Sequence, residues 1–111
     1  MKYAMVFYNT GWVRDLLPPD EAQKVLDAFT EVLESPAVRA SVRLQGVGTA
    51  TTVRVENGKT LLTDGPFIES KEFLSGVIVL EAANLDEVLA VAEHLQQHRP
   101  GGAVEVRPVD E

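Results

Sequence analysis

Two stretches of this chain are apolar at every position: Tyr3-Ala4-Met5-Val6-Phe7-Tyr8 and Val77-Ile78-Val79-Leu80. Both are short and rich in β-branched or aromatic side chains, so they read as strands. Successive side chains of a strand point to opposite faces, and a sheet with one wet face therefore alternates apolar and polar residues. Here neither face is polar. A sheet built on these strands has to be covered on both sides.

The chain itself supplies two helices for that purpose. Pro19 suits a first helical position, and Asp20 and Glu21 favour the positive end of the helix dipole. Ala22, Val25, Leu26, Phe29, Val32 and Leu33 then follow the i, i+3, i+4 spacing until Ser35-Pro36. Gln23, Lys24, Asp27, Glu31 and Glu34 form the solvated face. Asn84, with Glu87 three residues on, has the form of a capping box and starts a second helix. Leu85, Val88, Leu89, Ala92 and Leu95 make its core stripe, and Pro100-Gly101-Gly102 stops it. The first strand covers Met1–Tyr8, and a loop over Asn9–Leu17 carries the only tryptophan, Trp12. Val38–Gln45, Phe73–Glu81 and Ala103–Arg107 are further strands, with a break at Gly46-Val47-Gly48.

Between them, Thr51–Glu56 and Lys59–Asp64 flank Asn57-Gly58, a strong signal for a two-residue hairpin because both central residues of a type I′ turn need positive φ. The order is βαβ, hairpin, βαβ, which predicts an α+β fold with a ferredoxin-like antiparallel sheet and two helices on one face. Two helices cover one face only. A second copy of the chain is the simplest cover for the other, so a homodimer is expected.

The two-residue turn sets the hairpin register: Glu56 opposite Lys59, and so on down to Thr51 opposite Asp64. Val53, Val55 and Leu62 then share a face with Thr51 and Asp64, while Arg54, Glu56 and Lys59 lie on the other. If the apolar set faces the core, Asp64 points to the core side as well. A carboxylate there must be hydrogen-bonded, partly solvated in a cleft, or protonated. It makes Asp64 a candidate general acid or base. A purely architectural reading stands beside this one, since Asp-Gly-Pro is good turn chemistry and Asp can accept from amides two residues on. Glu69, Lys71 and Glu72 follow the turn, as solvated loop charges or as groups that tune Asp64.

Length and composition fix the setting. The 111 residues suit one domain, 1–111, because halves would be too small to bury a core. A 45% hydrophobic and 24% charged composition is that of an ordinary globular protein. No apolar run approaches the ~20 residues that span a bilayer, and no signal-peptide pattern is expected at the N-terminus. The absence of cysteine excludes disulfides, thiolate nucleophiles and cysteine-based metal sites, and fits the cytoplasm. Seventeen acidic against ten basic residues give a formal charge of −7, which repels a phosphate backbone. Neither nucleic acid nor a membrane is an expected partner.

Asp64-Gly65-Pro66-Phe67, followed by Glu69, Lys71-Glu72, Leu74 and Gly76, resembles the signature of the DGPF proteins within the YCII-related family. The likeness extends to Ala50–Val55, to Leu85-Asp86-Glu87, to Gly102–Pro108, to Met1–Tyr8 and to the helix start at Pro19-Asp20-Glu21. It implies a dimeric α+β barrel of ferredoxin-like halves. In the broader family it implies a His–Asp pair in a pocket, a dechlorinating enzyme acting on an aromatic ring among the relatives, and for DGPF members a link to extracytoplasmic-function sigma factors. The aspartate carries over onto Asp64. The histidine does not, because the first helix from Pro19 to Glu34 contains none. Gly46-Val47-Gly48 also replaces a stretch that is usually proline-containing, and Pro18 stands where a capping serine is common.

The remaining candidates are weaker. His94 and His98, four residues apart, share a helix face but lack a third ligand, so no metal is expected. Tyr3, Phe7 and Tyr8 read as core or interface aromatics, whereas Trp12 is kept as a pocket or interface residue. Arg14 and Arg54 are candidate anion contacts. Ser70 and Ser75 lack a positioned histidine, and no phosphate loop or dinucleotide fingerprint occurs, so no cofactor is expected. The expectations are therefore Asp64 and Lys71 as catalytic groups, with Glu69, Glu72, Trp12 and Arg54 contacting a small-molecule ligand in cofactor-free, lyase- or hydrolase-like proton transfer. The alternative is a non-catalytic ligand-binding or regulatory domain. Cofactor-independent oxygenation rests on fold analogy alone.

Overall fold

The structure, a computed structural model, describes residues 1–111. Strands β1 (Lys2–Asn9), β2 (Val38–Arg43), β5 (Phe73–Glu81) and β6 (Ala103–Pro108) form one antiparallel sheet in the order β2-β5-β1-β6. Helices α2 (Pro19–Leu33) and α3 (Leu85–His98) link β1 to β2 and β5 to β6. This is the ferredoxin-like α+β arrangement. Strands β3 (Thr51–Glu56) and β4 (Lys59–Asp64) form a separate two-stranded sheet inserted between β2 and β5.

The fully apolar strands take the central positions. β1 pairs with β5 from Lys2 opposite Glu81 to Asn9 opposite Phe73, with one irregularity at Phe7/Tyr8. Tyr3, Met5 and Phe7 of β1, with Ile78 and Leu80 of β5, point at the helices and are buried. Val88, Ala92 and Leu95 of α3 and Ala28 of α2 close the core from above, with Phe29 and Val32 partly buried beside them. The rings of Phe7 and Phe29 meet at 5.1 Å, tilted by 58°.

The helix stripes are narrower than the spacing predicts. Leu26 and Leu33 of α2 and Leu85 and Leu89 of α3 are more than 40% exposed, while Ala28 is buried in their place. A two-layer fold offers each helix a single sheet face to lie on, so only the centre of the stripe is covered. No helix is long and apolar enough to cross a membrane.

Both helix starts follow their sequence signals. Pro19 is the first residue of α2, with Asp20 and Glu21 in the first turn. Asn84 accepts a 3.1 Å hydrogen bond from the Glu87 amide, and the Glu87 carboxylate accepts from the Ala83 amide at 3.0 Å. Asn84→Ala removes that cap and is expected to lower stability by about 1 kcal/mol in urea titration. One short helix, α1 (Val13–Leu16), lies inside the expected Asn9–Leu17 loop, and a single 3-10 turn occupies Val47–Thr49. Four residues carry no periodicity, which is why α1 is invisible in the sequence.

The other sheet face is open. Val6 pairs with Val77, Ala4 with Val79, Val42 with Val77 and Ala40 with Val79, and this set alternates with the helix-facing one. Val42 is 55% exposed. The molecule measures 45 × 39 × 18 Å, and its radius of gyration of 16.0 Å exceeds the ~13 Å of a compact chain of this length.

Candidate functional site

The β3–β4 hairpin has the expected register, from Glu56 opposite Lys59 to Thr51 opposite Asp64. Asn57 (φ 50°) and Gly58 (φ 77°) make the turn. Where the hairpin goes differs from expectation. It stands off the body as an arm, and every residue from Val53 to Asp64 is exposed. Val53, Val55 and Leu62 do share a face with Asp64, but that face meets solvent rather than the core.

Asp64 is thus an exposed carboxylate at the arm's root, beside Thr51. It accepts no hydrogen bond within the chain. The root is closed by other groups: the Gly65 amide donates to the Ala50 carbonyl at 2.8 Å, and the Thr52 hydroxyl donates to the Gly65 carbonyl at 2.8 Å. The turn amides that an architectural aspartate would bind are not bound by it. Gly65 adopts φ 104°, so the glycine does the conformational part of the turn.

The loop after the turn is equally open. Phe67 and Ile68 are 66% and 70% exposed. Glu69, Lys71 and Glu72 are exposed and form no ion pair; the Glu72 amide donates to the Ser70 hydroxyl at 3.2 Å. Lys71 is therefore not paired with Asp64 in the single chain. Arg54 is engaged within the arm, 3.3 Å from the Glu56 carboxylate and 5.3 Å from the Phe67 ring centroid. That stacking ties the arm to the loop.

Trp12 marks the other side of the root. Its ring lies 6.4 Å from that of Phe73, edge on, and the Arg14 guanidinium sits 6.0 Å from its centroid. The chain at Gly46 passes so close that a Cβ there would stand 3.5 Å from the indole. Trp12 is thus wedged between the start of β5 and the segment that leads into the arm.

A polar network that the sequence does not announce backs this end of the sheet. Arg99, the C-cap of α3, donates to the carbonyls of Tyr8 (2.7 Å) and Ala103 (3.2 Å), to the Gln96 side chain (2.7 Å) and to Asn9 Oδ1. The Ser75 hydroxyl donates to Asn9 Oδ1 at 2.6 Å. Gln96 donates in turn to the carbonyls of Gly101 and Gly102 at 3.2 and 3.1 Å. The guanidinium also lies 5.4 Å from the Phe7 ring centroid. Burial without a carboxylate partner holds its pKa below the usual arginine value. The crevice beside it, between Gly11, Leu16 and Pro100, has no room for a water-sized group, so Arg99 is a strut and not an anion site.

A cavity of about 440 Å³ lies elsewhere, between α2 and α3 at the Leu80 end of β5. His94 lines it. The His94 and His98 rings meet edge to face at 5.3 Å, and no cluster of three metal-ligating side chains occurs in the chain.

Trp12, Phe73 and the Arg99 network meet at one end of the sheet, where β1 ends and β5 begins, and the segment from Gly46, against Trp12, to Ala50, bonded to Gly65, leads from there to the arm's root. The YCII-related domain profile matches residues 1–111. An uncharacterized protein of Rhizobium meliloti (strain 1021) is 34% identical over 114 residues, a span that takes in 98% of this chain and 92% of that protein.

Proposed function

The chain belongs to the YCII-related family, and on that premise we propose that it works as a homodimer that binds a small organic molecule at the Trp12–Asp64 end of the sheet. The observation that carries this reading is the placement of Asp64: a carboxylate with no hydrogen-bond partner in its own chain, on the arm face where Val53, Val55 and Leu62 stand exposed beside Thr51 and Thr60. Architecture alone gives such a group no task. Covering that face with a second chain would place the carboxylate at the wall of an enclosed space, where it can orient a polar ligand or exchange a proton with it. Lys71, Glu69 and Glu72 extend from the adjoining loop, Trp12 offers an aromatic wall, and Arg54 adds a cation. With no histidine in α2, proton transfer of a lyase- or hydrolase-like kind would rest on Asp64, with Lys71 as its complement. A cytoplasmic setting fits the cysteine-free composition.

One observation favours a second reading. No other titratable side chain contacts Asp64, as a catalytic pair would require, so binding without turnover is the simpler use of the site. A ligand-sensing domain tied to sigma-factor-dependent transcription belongs to that reading.

Trp12, the only tryptophan, gives a direct test. Titration with a panel of small phenols and aromatic acids should change its fluorescence saturably. Asp64→Asn should abolish that response while leaving the urea midpoint within about 0.5 kcal/mol of the parent, as expected for an exposed, unpartnered side chain. A response that survives the substitution defeats the assignment of Asp64. Product formation in the same titration separates the enzyme from the sensor.

A further inference from the structure

The arm poses a physical problem that the single chain does not solve. A two-stranded hairpin alone is marginal in water. This one carries Val53, Val55 and Leu62 at 62, 67 and 69% exposure along one face. Its root is fixed by the Gly65–Ala50 and Thr52–Gly65 hydrogen bonds and by the 3-10 turn at Val47–Thr49, so it cannot fold back on its own sheet without breaking them. Meanwhile the sheet leaves Ala4, Val6, Ala40, Val42, Val77 and Val79 on its uncovered side.

Area sets the scale. The chain exposes 7736 Å², whereas a monomeric protein of its mass exposes roughly 6,000 Å². The surplus of roughly 1,700 Å² is about twice the ~800 Å² that a stable interface takes from each partner. Both sources of the surplus are apolar at their centres, with Glu105 and Arg107 of β6 at the edge of the sheet face and Thr51, Thr60 and Asp64 on the arm face, and neither carries a run of like charge that would repel a copy of itself.

We propose that the arms are exchanged: the hairpin of one protomer lies with its Val53–Val55–Leu62 face across the open sheet face of its partner, and the partner returns the contact. This rests on the homodimer reading above and adds which element reaches across. A two-fold axis makes the contact isologous, so one solution buries both arms and both sheet faces. It also gives the candidate site its missing wall, because the arm's root carries Asp64 and its length lies over the other subunit. The ligand space is then shared between chains.

The absence of cysteine allows a clean test. A nitroxide on Lys59→Cys, at the arm tip, is mixed with isotope-labelled parent chain, and subunits are exchanged. Resonances of Val42, Val77 and Val79 in the labelled chain should broaden, while those of Gln23, Asp27 and Glu93 on the helix surface should not. Independently, Val53→Lys with Leu62→Lys should weaken the dimer by at least roughly 100-fold in sedimentation equilibrium, the effect of burying two unpaired charges. A parent dimer with no broadening on the sheet face, or one whose association is untouched by the two lysines, overturns arm exchange and leaves the homodimer standing. A parent chain that sediments as a monomer at all concentrations overturns both.

Discussion

Gly102→Ala should cost about 3–4 kcal/mol, more than half of the ~5 kcal/mol at the low end of ordinary domain stability. Two effects combine. Gly102 has φ 75°, a conformation that costs an L-residue about 1–2 kcal/mol. A Cβ there would also stand 2.0 Å from the Tyr8 carbonyl oxygen, a backbone atom that cannot turn aside. Relief requires β1 and the start of β6 to separate, at a further 1–3 kcal/mol or so, typical of overpacking. Gly58→Ala separates the two terms. Its φ is 77°, nearly the same, and a Cβ there meets nothing within 4 Å. That substitution should cost only about 1–2 kcal/mol, the conformational term alone. Urea titrations followed by circular dichroism and by Trp12 fluorescence would give both values. Equal costs at the two positions would show that the close approach to Tyr8 is absorbed without strain.

The contrast between those glycines also shows where sequence reasoning succeeds. Gly58 is visible beforehand because an Asn-Gly pair between two alternating runs names its own turn, and the turn then fixes the whole register from Glu56–Lys59 to Thr51–Asp64. The Asn84–Glu87 cap and the Pro19 helix start are local in the same way, as is the apolar double face of β1 and β5. Asp64 marks the limit. Alternation correctly places it with Val53, Val55 and Leu62, but alternation says nothing of what that face meets. The inference that an apolar face turns toward its own core fails here because this face of the arm packs on nothing in its own chain. Leu26, Leu33, Leu85 and Leu89 teach the same lesson on helices: periodicity reports which residues are eligible for burial, and the number of layers decides which are buried.

Arg99 lay beyond reach for a different reason. Its partners Tyr8 and Asn9 are 91 and 90 positions away, and an arginine at the end of a helix has a sufficient local explanation in the helix dipole. Only the closure of β6 against β1 brings the guanidinium over those carbonyls. The motif residues were legible and turned out loosely placed, whereas the residues that organise the same end of the sheet were silent. This is the order expected when a turn is written locally and its support is built by tertiary contacts.

That support can be measured. Arg99→Met keeps a long apolar stem against Phe7 but strips donors from the Tyr8 and Ala103 carbonyls and from Asn9 Oδ1. Hydrogen bonds from a charged donor contribute about 1.5–3 kcal/mol each when fully buried, and the cation–π contact adds roughly 0.5–1. The site is half-buried, so water replaces part of what is lost and the net cost should be about 2–3 kcal/mol. Arg99→Lys retains the charge but lacks the planar fork that reaches strand, loop and helix together, and should recover no more than half. The loss should also be felt at Trp12. Asn9 pairs with Phe73, Phe73 packs on Trp12, and Asn9 is held by Arg99 and Ser75. Releasing Asn9 should loosen that corner, shifting Trp12 emission to the red and weakening the fluorescence response to phenols, while the distant Asn84 cap keeps its amide protection. A stability loss without the Trp12 shift would confine Arg99 to joining α3 to the sheet and remove it from any part in shaping the site.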